Sequence, residues 1–253
     1  MSSRKIALVT GGSRGLGKNM AIAIAKKNID VVITYHTNKS AAEEVVTEIE
    51  KNGVTATALP FDAENINALD QFKNEFLNTL QKKFNTDKFD FLINNAGIGI
   101  NAPIAETTEE QFDTLMNIHF KGVYFLTQKL LPSLSNGGGI VNISSGLARF
   151  SGPGYSAYAA MKGAIETFTR YLAKELGERK IKANTVAPGA IETDFGGGAV
   201  RDIKQYNDYV SSATALGRAG LPDDIGGVVA FLCTQDAGWI NAQRIEVSGG
   251  MNI

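Results

Sequence analysis

A tyrosine and a lysine four residues apart, Tyr158 and Lys162, are the side chains of this sequence with the clearest chemical use. In a helix they stack on one face. A phenol at its reference pKa of about 10 is a poor acid–base group at neutral pH. A nearby ammonium stabilises the phenolate and draws that pKa toward the working range. The spacing alone is weak, because Tyr35 and Lys39 repeat it in what reads as a loop. Tyr158 differs in starting a long helix after a strand that ends in Ser144-Ser145. At that strand end the Ser145 hydroxyl could bind a substrate oxygen. A proton from Tyr158 and a hydrogen bond from Ser145 would then meet the negative charge that grows on the oxygen when a hydride reaches its carbon. For either serine alone, a plain turn is the better explanation.

A second constellation is Thr10-Gly11-Gly12-Ser13-Arg14-Gly15-Leu16-Gly17, between a first strand and a first helix. Glycines let the backbone turn tightly and approach a pyrophosphate, and the helix N-terminus supplies free N–H groups and positive dipole. The spacing Gly11, Gly15, Gly17 departs from the common G-x-G-x-x-G fingerprint. The second strand ends at Thr34-Tyr35-His36, with no carboxylate before Glu43 to hold a ribose 2′-hydroxyl. Arg14, His36, Asn38 and Lys39 instead present cations and donors, which suit a 2′-phosphate. These residues favour NADP(H) over NAD(H).

The elements that must position these residues follow an alternating pattern. Ile6–Thr10, Val31–Thr34, Phe91–Ile93, Ile140–Ile143 and Ala183–Ala187 are strand-length apolar runs. Helical spacing covers Leu16–Asn28, Ser40–Asn52 with a capping serine, Thr108–Pro132, Tyr155–Glu178 and Gly226–Cys233. This alternation predicts a doubly wound α/β Rossmann fold, a mainly parallel sheet with helices on both faces. Gly137–Gly139 reads as lying just before a strand. Glu192–Arg201, which contains Gly196–Gly198, lacks periodicity; it is either a movable lid over the substrate or an ordinary surface loop. With no repeat and no linker, residues 1–253 read as a single NAD(P)-binding catalytic domain.

Composition excludes several classes. Net charge is −1, so no basic excess points to nucleic acid. No signal-peptide-like stretch and no membrane-length apolar run is found, which predicts a soluble cytoplasmic protein. The one cysteine, Cys233, reads as a small buried hydrophobe. No cluster of His, Cys and carboxylate suggests a metal.

Taken in order, Thr10-Gly-x-x-x-Gly15-x-Gly17, Asp62, Asn94-Asn95-Ala96-Gly97, Ser145, Tyr158-x-x-x-Lys162 and Pro188-Gly189 with Thr193 resemble the short-chain dehydrogenase/reductase family over nearly the whole chain. The resemblance implies a seven-stranded sheet and an NADP(H)-dependent enzyme that reduces a ketone, aldehyde or 3-oxoacyl carbonyl to an alcohol. It assigns Asp62 and Ala63 to the adenine edge and Asn95, Ala96 and Gly97 to the cofactor cleft. Lys162 would also hold the nicotinamide ribose, and Pro188, Gly189, Ile191 and Thr193 would frame the nicotinamide amide. Family members usually form tetramers through the helices matching Thr108–Pro132 and Tyr155–Glu178. Phe168, Tyr171 and Leu172 could supply that apolar face, or pack in the core. The alternatives are an NAD-dependent alcohol dehydrogenase running in the oxidising direction and a non-catalytic nucleotide sensor.

Two positions depart from the family pattern. Where it has an asparagine that supports a proton-relaying water, two residues ahead of Lys121-Gly122-Val123-Tyr124, this chain has His119. Asn117 lies roughly 200° around an ideal helix and cannot substitute. His119 either keeps the relay, by its carbonyl or imidazole, or is a packed helix residue. The loop Ser133–Gly139 also lacks the basic residues of relatives that dock an acidic carrier protein, although Arg179 and Lys180 remain elsewhere. That favours a free small-molecule carbonyl.

Overall fold

The computed structural model describes residues 4–253. Among them the strands β1 (Ile6–Val9), β2 (Asp30–Tyr35), β3 (Ala56–Pro60), β4 (Phe89–Asn94), β5 (Leu134–Ile143), β6 (Lys182–Pro188) and β7 (Arg244–Val247) build one sheet. Its order is β3-β2-β1-β4-β5-β6-β7, and every neighbouring pair is parallel. The five apolar runs fall in β1, β2, β4, β5 and β6. The two strands without such a run, β3 and β7, are the sheet edges, where Arg244 and Glu246 interrupt β7.

Side chains along a strand alternate between faces. Ala7 and Val9 join one core layer with Ile33, Ile93 and Val186, under α1 (Gly15–Ala25), α2 (Lys39–Glu50) and α9 (Pro222–Leu232). Ile6 and Leu8 join the opposite layer with Val32, Leu92 and Ile140, under α3 (Leu69–Thr79), α5 (Gly122–Leu130) and α6 (Ser156–Glu175). Burial of both faces explains why the central strands read as continuous apolar runs. Phe89 and Phe91 break the alternation by entering opposite layers. The β4–β5 register shifts between them, where Gly137–Gly139 lies inside β5 rather than ahead of it. Between the layers, Asn94 donates to Asn142 (2.8 Å), Asn142 to Thr169 (2.9 Å), and Thr185 to Thr169 (2.9 Å).

Several helix boundaries differ from the sequence pattern; α9, expected over Gly226–Cys233, begins at Pro222, with a proline at its first position and Asp224 closing a bond to the Leu221 N–H. Asn38, not Ser40, caps α2, with its side chain accepting from the Ala41 N–H at 3.0 Å. The stretch expected as one helix over 108–132 is α4 (Glu109–Met116), opened by a capping box of Thr108 and Gln111, then a wide π-type turn Asn117–Lys121, then α5. That turn carries His119, so the ideal pitch does not hold there. The segment after β6 folds into α7 (Ala199–Asp202) and α8 (Lys204–Ser212), reached through Gly196–Gly198, all three at positive φ. Helical periodicity fails in so short a helix as α7, which is why the segment reads as irregular. Cys233 is buried at the end of α9, and burial pushes its thiol up to about 12.

The chain runs from β1 outward through β2 to β3, then returns to the far side of β1 as β4. Strand direction of winding therefore reverses between β1 and β4, and a crevice opens beyond their carboxyl ends, where such sheets bind ligands. Among the described residues no helix is long and apolar enough to cross a membrane.

Candidate active site

The crevice is built from the loops after β1 and β4. The Thr10 hydroxyl donates to the Ile93 carbonyl at 3.3 Å and accepts from the N–H groups of Asn95 (2.9 Å) and Ala96 (3.0 Å). The Asn95 amide returns the link, donating to the carbonyls of Thr10 (2.9 Å) and Gly11 (3.2 Å). Asn95 thus braces the glycine turn as well as standing beside the crevice. Any side chain at Gly17 would overlap the Gly11 carbonyl, so α1 starts hard against the turn. Arg14, the residue capping α1, makes no side-chain cap bond, which leaves the helix start open to an anion; Ser13 and Gly15 flank it, and Leu16 packs inward. This is a cradle of the shape and polarity a pyrophosphate needs.

At the end of β2, His36 is well exposed, with its Nε2 3.9 Å from the Asp62 carboxylate. Asp62 also accepts from the Glu64 N–H at 3.0 Å. Lys39 pairs loosely with Glu43 at 3.5 Å. The Asn38 side-chain oxygen, grouped with the cofactor residues on sequence, is taken up in capping α2, so at most its amide is free. Among the described residues Arg14 forms no ion pair, and its exposed guanidinium stays available to a phosphate. On the far wall Gly189 donates to the Val247 carbonyl (3.0 Å), Ile191 bridges to Gly220, and the Thr193 hydroxyl accepts from the Phe195 N–H (3.2 Å). These bonds order the segment that follows Pro188.

Tyr158 and Lys162 lie one turn apart on α6, both buried, with the Lys162 Nζ 5.6 Å from the Tyr158 ring centre. Lys162 Nζ donates to the Ile143 carbonyl at 2.8 Å, which ties α6 to the end of β5. Ser145 follows β5, and its hydroxyl accepts from the Leu147 N–H at 3.2 Å. Its own hydrogen is thereby free to donate. Burial pushes the Tyr158 phenol up from its ordinary value, and a hydrogen bond with Ser145 opposes this. Burial also pushes Lys162 down to about 7. The expectation that Lys162 draws the phenol pKa down fails for the protein alone. Desolvation of the phenol dominates, and the ammonium is itself weakened by the same burial.

His119 is the third buried titratable group. Its Nε2 is 2.8 Å from the Ile98 carbonyl, while Nδ1 has no partner among the described residues. The ring meets Tyr158 edge-on, with centres 5.1 Å apart. Burial, then the Lys162 charge, hold the imidazole well below its ordinary pKa; the Ile98 carbonyl opposes this. His119 is therefore neutral; its Nε2 lies 2.8 Å from the Ile98 carbonyl and 3.3 Å from the Ile98 N–H, and in the tautomer that donates to the closer carbonyl Nδ1 is an acceptor. A side chain at Gly97 would come within 2.6 Å of His119 Cε1, so the imidazole accounts for a glycine there.

Around Tyr158 stand Phe195, with ring centres 5.7 Å apart, and Tyr155, at 6.4 Å. Tyr206 and Tyr209 stack on each other at 6.4 Å, and Tyr155 contributes to raising the Tyr206 pKa, after burial. Of the three residues proposed for an assembly face, Leu172 is buried in the core, Phe168 packs against it, and only Tyr171 is largely exposed, at 63%. Sequence reasoning missed Glu166, Arg244 and Glu246, which hold the serine segment from behind; the links from Arg244 to Glu166 and to Ser145 span 78 and 99 positions and leave no local pattern.

The family model described as enoyl-(acyl carrier protein) reductase matches residues 11–252. The hydroxynaphthalene reductase-like protein Arp2 of Metarhizium majus is 36% identical over 257 residues, covering 97% of this chain and 94% of that protein. The trihydroxynaphthalene reductase PfmaI of Pestalotiopsis fici is 33% identical over 255 residues, covering 97% and 88%. The angucycline C-6 ketoreductase LanV, solved with bound NADP, superposes with a TM-score of 0.93 at 34% identity, covering 98% and 95%.

The depressed Lys162 has a consequence for stability. Its ordinary value is 10.5 and its folded value about 7. Between those values the unfolded chain binds a proton that the folded chain lacks, so stability rises with pH across that window. Below pH 7 the full cost of burying the ammonium is present. Lys162→Met is expected to be more stable than the parent at pH 6 by about 1–3 kcal/mol, after allowing for the lost bond to Ile143. That advantage should fade as pH approaches 10. Urea unfolding at pH 6 and pH 9.5 checks both the sign and the trend.

Proposed function

The chain belongs to the short-chain dehydrogenase/reductase family, and from that premise we propose that residues 1–253 form one catalytic domain that reduces a ketone to an alcohol with NADPH. The observation that carries this reading is the joint burial of Tyr158 and Lys162 on one face of α6 against Ser145, beside the glycine turn at the sheet's reversal point. NADPH, when bound, supplies the hydride to the carbonyl carbon. Gly11, Ser13, Arg14, Gly15, Leu16 and Gly17 would hold its phosphates, with Arg14 and His36 toward the 2′-phosphate. Asp62, Ala63, Asn95, Ala96 and Gly97 would line the adenine and ribose side, and Pro188, Gly189, Ile191 and Thr193 the nicotinamide side. The absence of a carboxylate at the end of β2 and the NADP described with LanV support the phosphorylated cofactor.

The residues then act as follows. Ser145 donates a hydrogen bond to the substrate oxygen. Tyr158, kept protonated by its burial, transfers its proton to that oxygen as charge develops. Lys162 uses one N–H on Ile143 and has two left, one for the phenolate that results. His119, neutral and with Nδ1 unpartnered among the described residues, would hold a water by that nitrogen, and the water would pass a proton from solvent to Lys162; the unpartnered nitrogen supports this role over mere packing.

The substrate reading is a free, flat aromatic ketone. The aromatic walls Tyr155, Phe195 and Tyr206 suit a planar ring system. Two relatives are named for naphthalenes. Arg179, one of the two basic residues named above, spends its guanidinium on Asn136, Leu131 and Leu134. A tetramer through α4–α5 and α6 is part of the proposal, supported by exposed Phe112, Tyr124 and Tyr171.

A panel of benzo-fused ketones, aliphatic ketones and acyl thioesters, followed by NADPH absorbance, tests the reading. The benzo-fused ketones are expected to turn over fastest, with NADPH preferred over NADH. Tyr158→Phe should lower kcat by about 10²–10⁴-fold with NADPH still bound; a Tyr158→Phe protein at the parent rate would sink the mechanism. His119→Ala should lower kcat and change its pH profile, and an unaltered profile would reduce His119 to a packing residue.

A further inference from the structure

Behind the serine segment runs a chain of four charges drawn from three elements. Arg244 and Glu246 are two apart on β7 and share a face of the sheet. Glu166 lies on α6, one turn beyond Lys162 and two beyond Tyr158, so all three fall on one stripe of the helix. Arg149 leaves the short turn that Ser145 caps. Each nitrogen of the Arg244 guanidinium has its own acceptor: Nε the Glu166 carboxylate at 2.7 Å, one terminal nitrogen the Glu246 carboxylate at 2.9 Å, and the other the Ser145 carbonyl at 3.3 Å. Glu166 also accepts from the Ser144 hydroxyl at 2.7 Å, and Glu246 from Arg149 at 3.0 Å.

The segment from Ser144 to Arg149 is therefore gripped at three points: a side chain, a carbonyl and a guanidinium. We propose that Arg244 is a positioning residue, which fixes the direction of the Ser145 hydroxyl by holding the Ser145 carbonyl against α6 and β7. The proposal rests on the role given to Ser145 above. Ser145 itself is extended backbone, and its hydroxyl is held only by the Leu147 N–H at 3.2 Å and by its hydrogen bond with Tyr158, neither of which fixes the backbone that carries it. Nothing in so light a local structure fixes the hydroxyl to the few tenths of an ångström that an oxyanion donor needs. The ion chain supplies that constraint from outside the segment. It also ties the serine to the helix that carries Tyr158 and Lys162, so the donors move as one body. A lysine at position 244 could satisfy one carboxylate but could not place three donors in a plane. With side-chain exposures of 22% for Arg244, 15% for Glu166 and 17% for Glu246, the links are shielded enough to hold a geometry.

A double-mutant cycle in the full-length protein separates positioning from a general structural role. It uses NADPH and the panel ketone that the parent turns over fastest, with kcat and KM measured separately. Ser145→Ala is expected to lower kcat by about 10²-fold, as removal of an oxyanion donor does. Arg244→Gln should lower kcat by about tenfold, with KM for NADPH within about twofold of the parent, because the donor is misdirected rather than removed. In the Ser145→Ala background the same Arg244→Gln change should cost less than about twofold, since no hydroxyl remains to aim. Arg244→Lys, which keeps the charge and the fold, should show a smaller loss with the same disappearance in that background. An Arg244 effect that persists at full size without the Ser145 hydroxyl, or no effect of Arg244 on kcat, overturns the proposal. Should Ser145→Ala itself leave kcat unchanged, the reading of the active site fails first and takes this inference with it.

Discussion

Taking a phenol and an ammonium out of water disfavours the charged form of each, and in this protein the same packing does both. Tyr158 is pushed up and Lys162 down to about 7 by burial on one face of α6. The phenol is thereby kept in the state that can give a proton, and the amine in a state that can exchange one near neutrality. That arrangement needs a helix packed closely against the carboxyl end of the interior strand β5. The Lys162 bond to the Ile143 carbonyl and the Asn94–Asn142–Thr169 chain provide the seat. It also carries a standing cost to stability, which an enzyme accepts at a working site.

The polar groups around this pair divide the tasks. His119 stays neutral between Tyr158 and the Ile98 carbonyl and leaves Nδ1 without a partner among the described residues. Ser145 takes an N–H from Leu147 and keeps its hydrogen to give. Arg244, Glu166, Glu246 and Arg149 connect the serine segment to α6 and β7. On the other side of the crevice Thr10 and Asn95 join the loops after β1 and β4, which ties the glycine turn to the carboxyl end of β4.

Much of this was legible in the residues themselves. Central strands buried on both faces announce themselves as apolar runs, and β1, β2, β4, β5 and β6 were found that way. The edge strands β3 and β7 were not, because an edge need not be apolar and β7 alternates with charge. Tyr158, Lys162 and Ser145 stood out through spacing and context. The direction of the Tyr158 shift did not, since spacing reports that an amine is near but not how dry the pair is. Helix ends set by one side chain were also missed: Asn38 took the cap assigned to Ser40. The wide turn at Asn117–Lys121 leaves no trace in a periodic pattern, yet it carries His119. The Arg244 chain joins residues up to 99 positions apart, as Ser145 and Arg244 are, and only the folded chain shows it.

The most direct test of the central claim is the ionisation of Tyr158 in the protein itself. Tyrosinate absorbance in the ultraviolet, followed as pH is raised and taken as the difference between the parent and Tyr158→Phe, isolates that one phenol. Burial predicts that its phenolate is absent below the ordinary tyrosine value of about 10 and appears only above it. A Tyr158 phenolate that forms near neutral pH in the free protein would contradict the account, because the amine would then outweigh the loss of water.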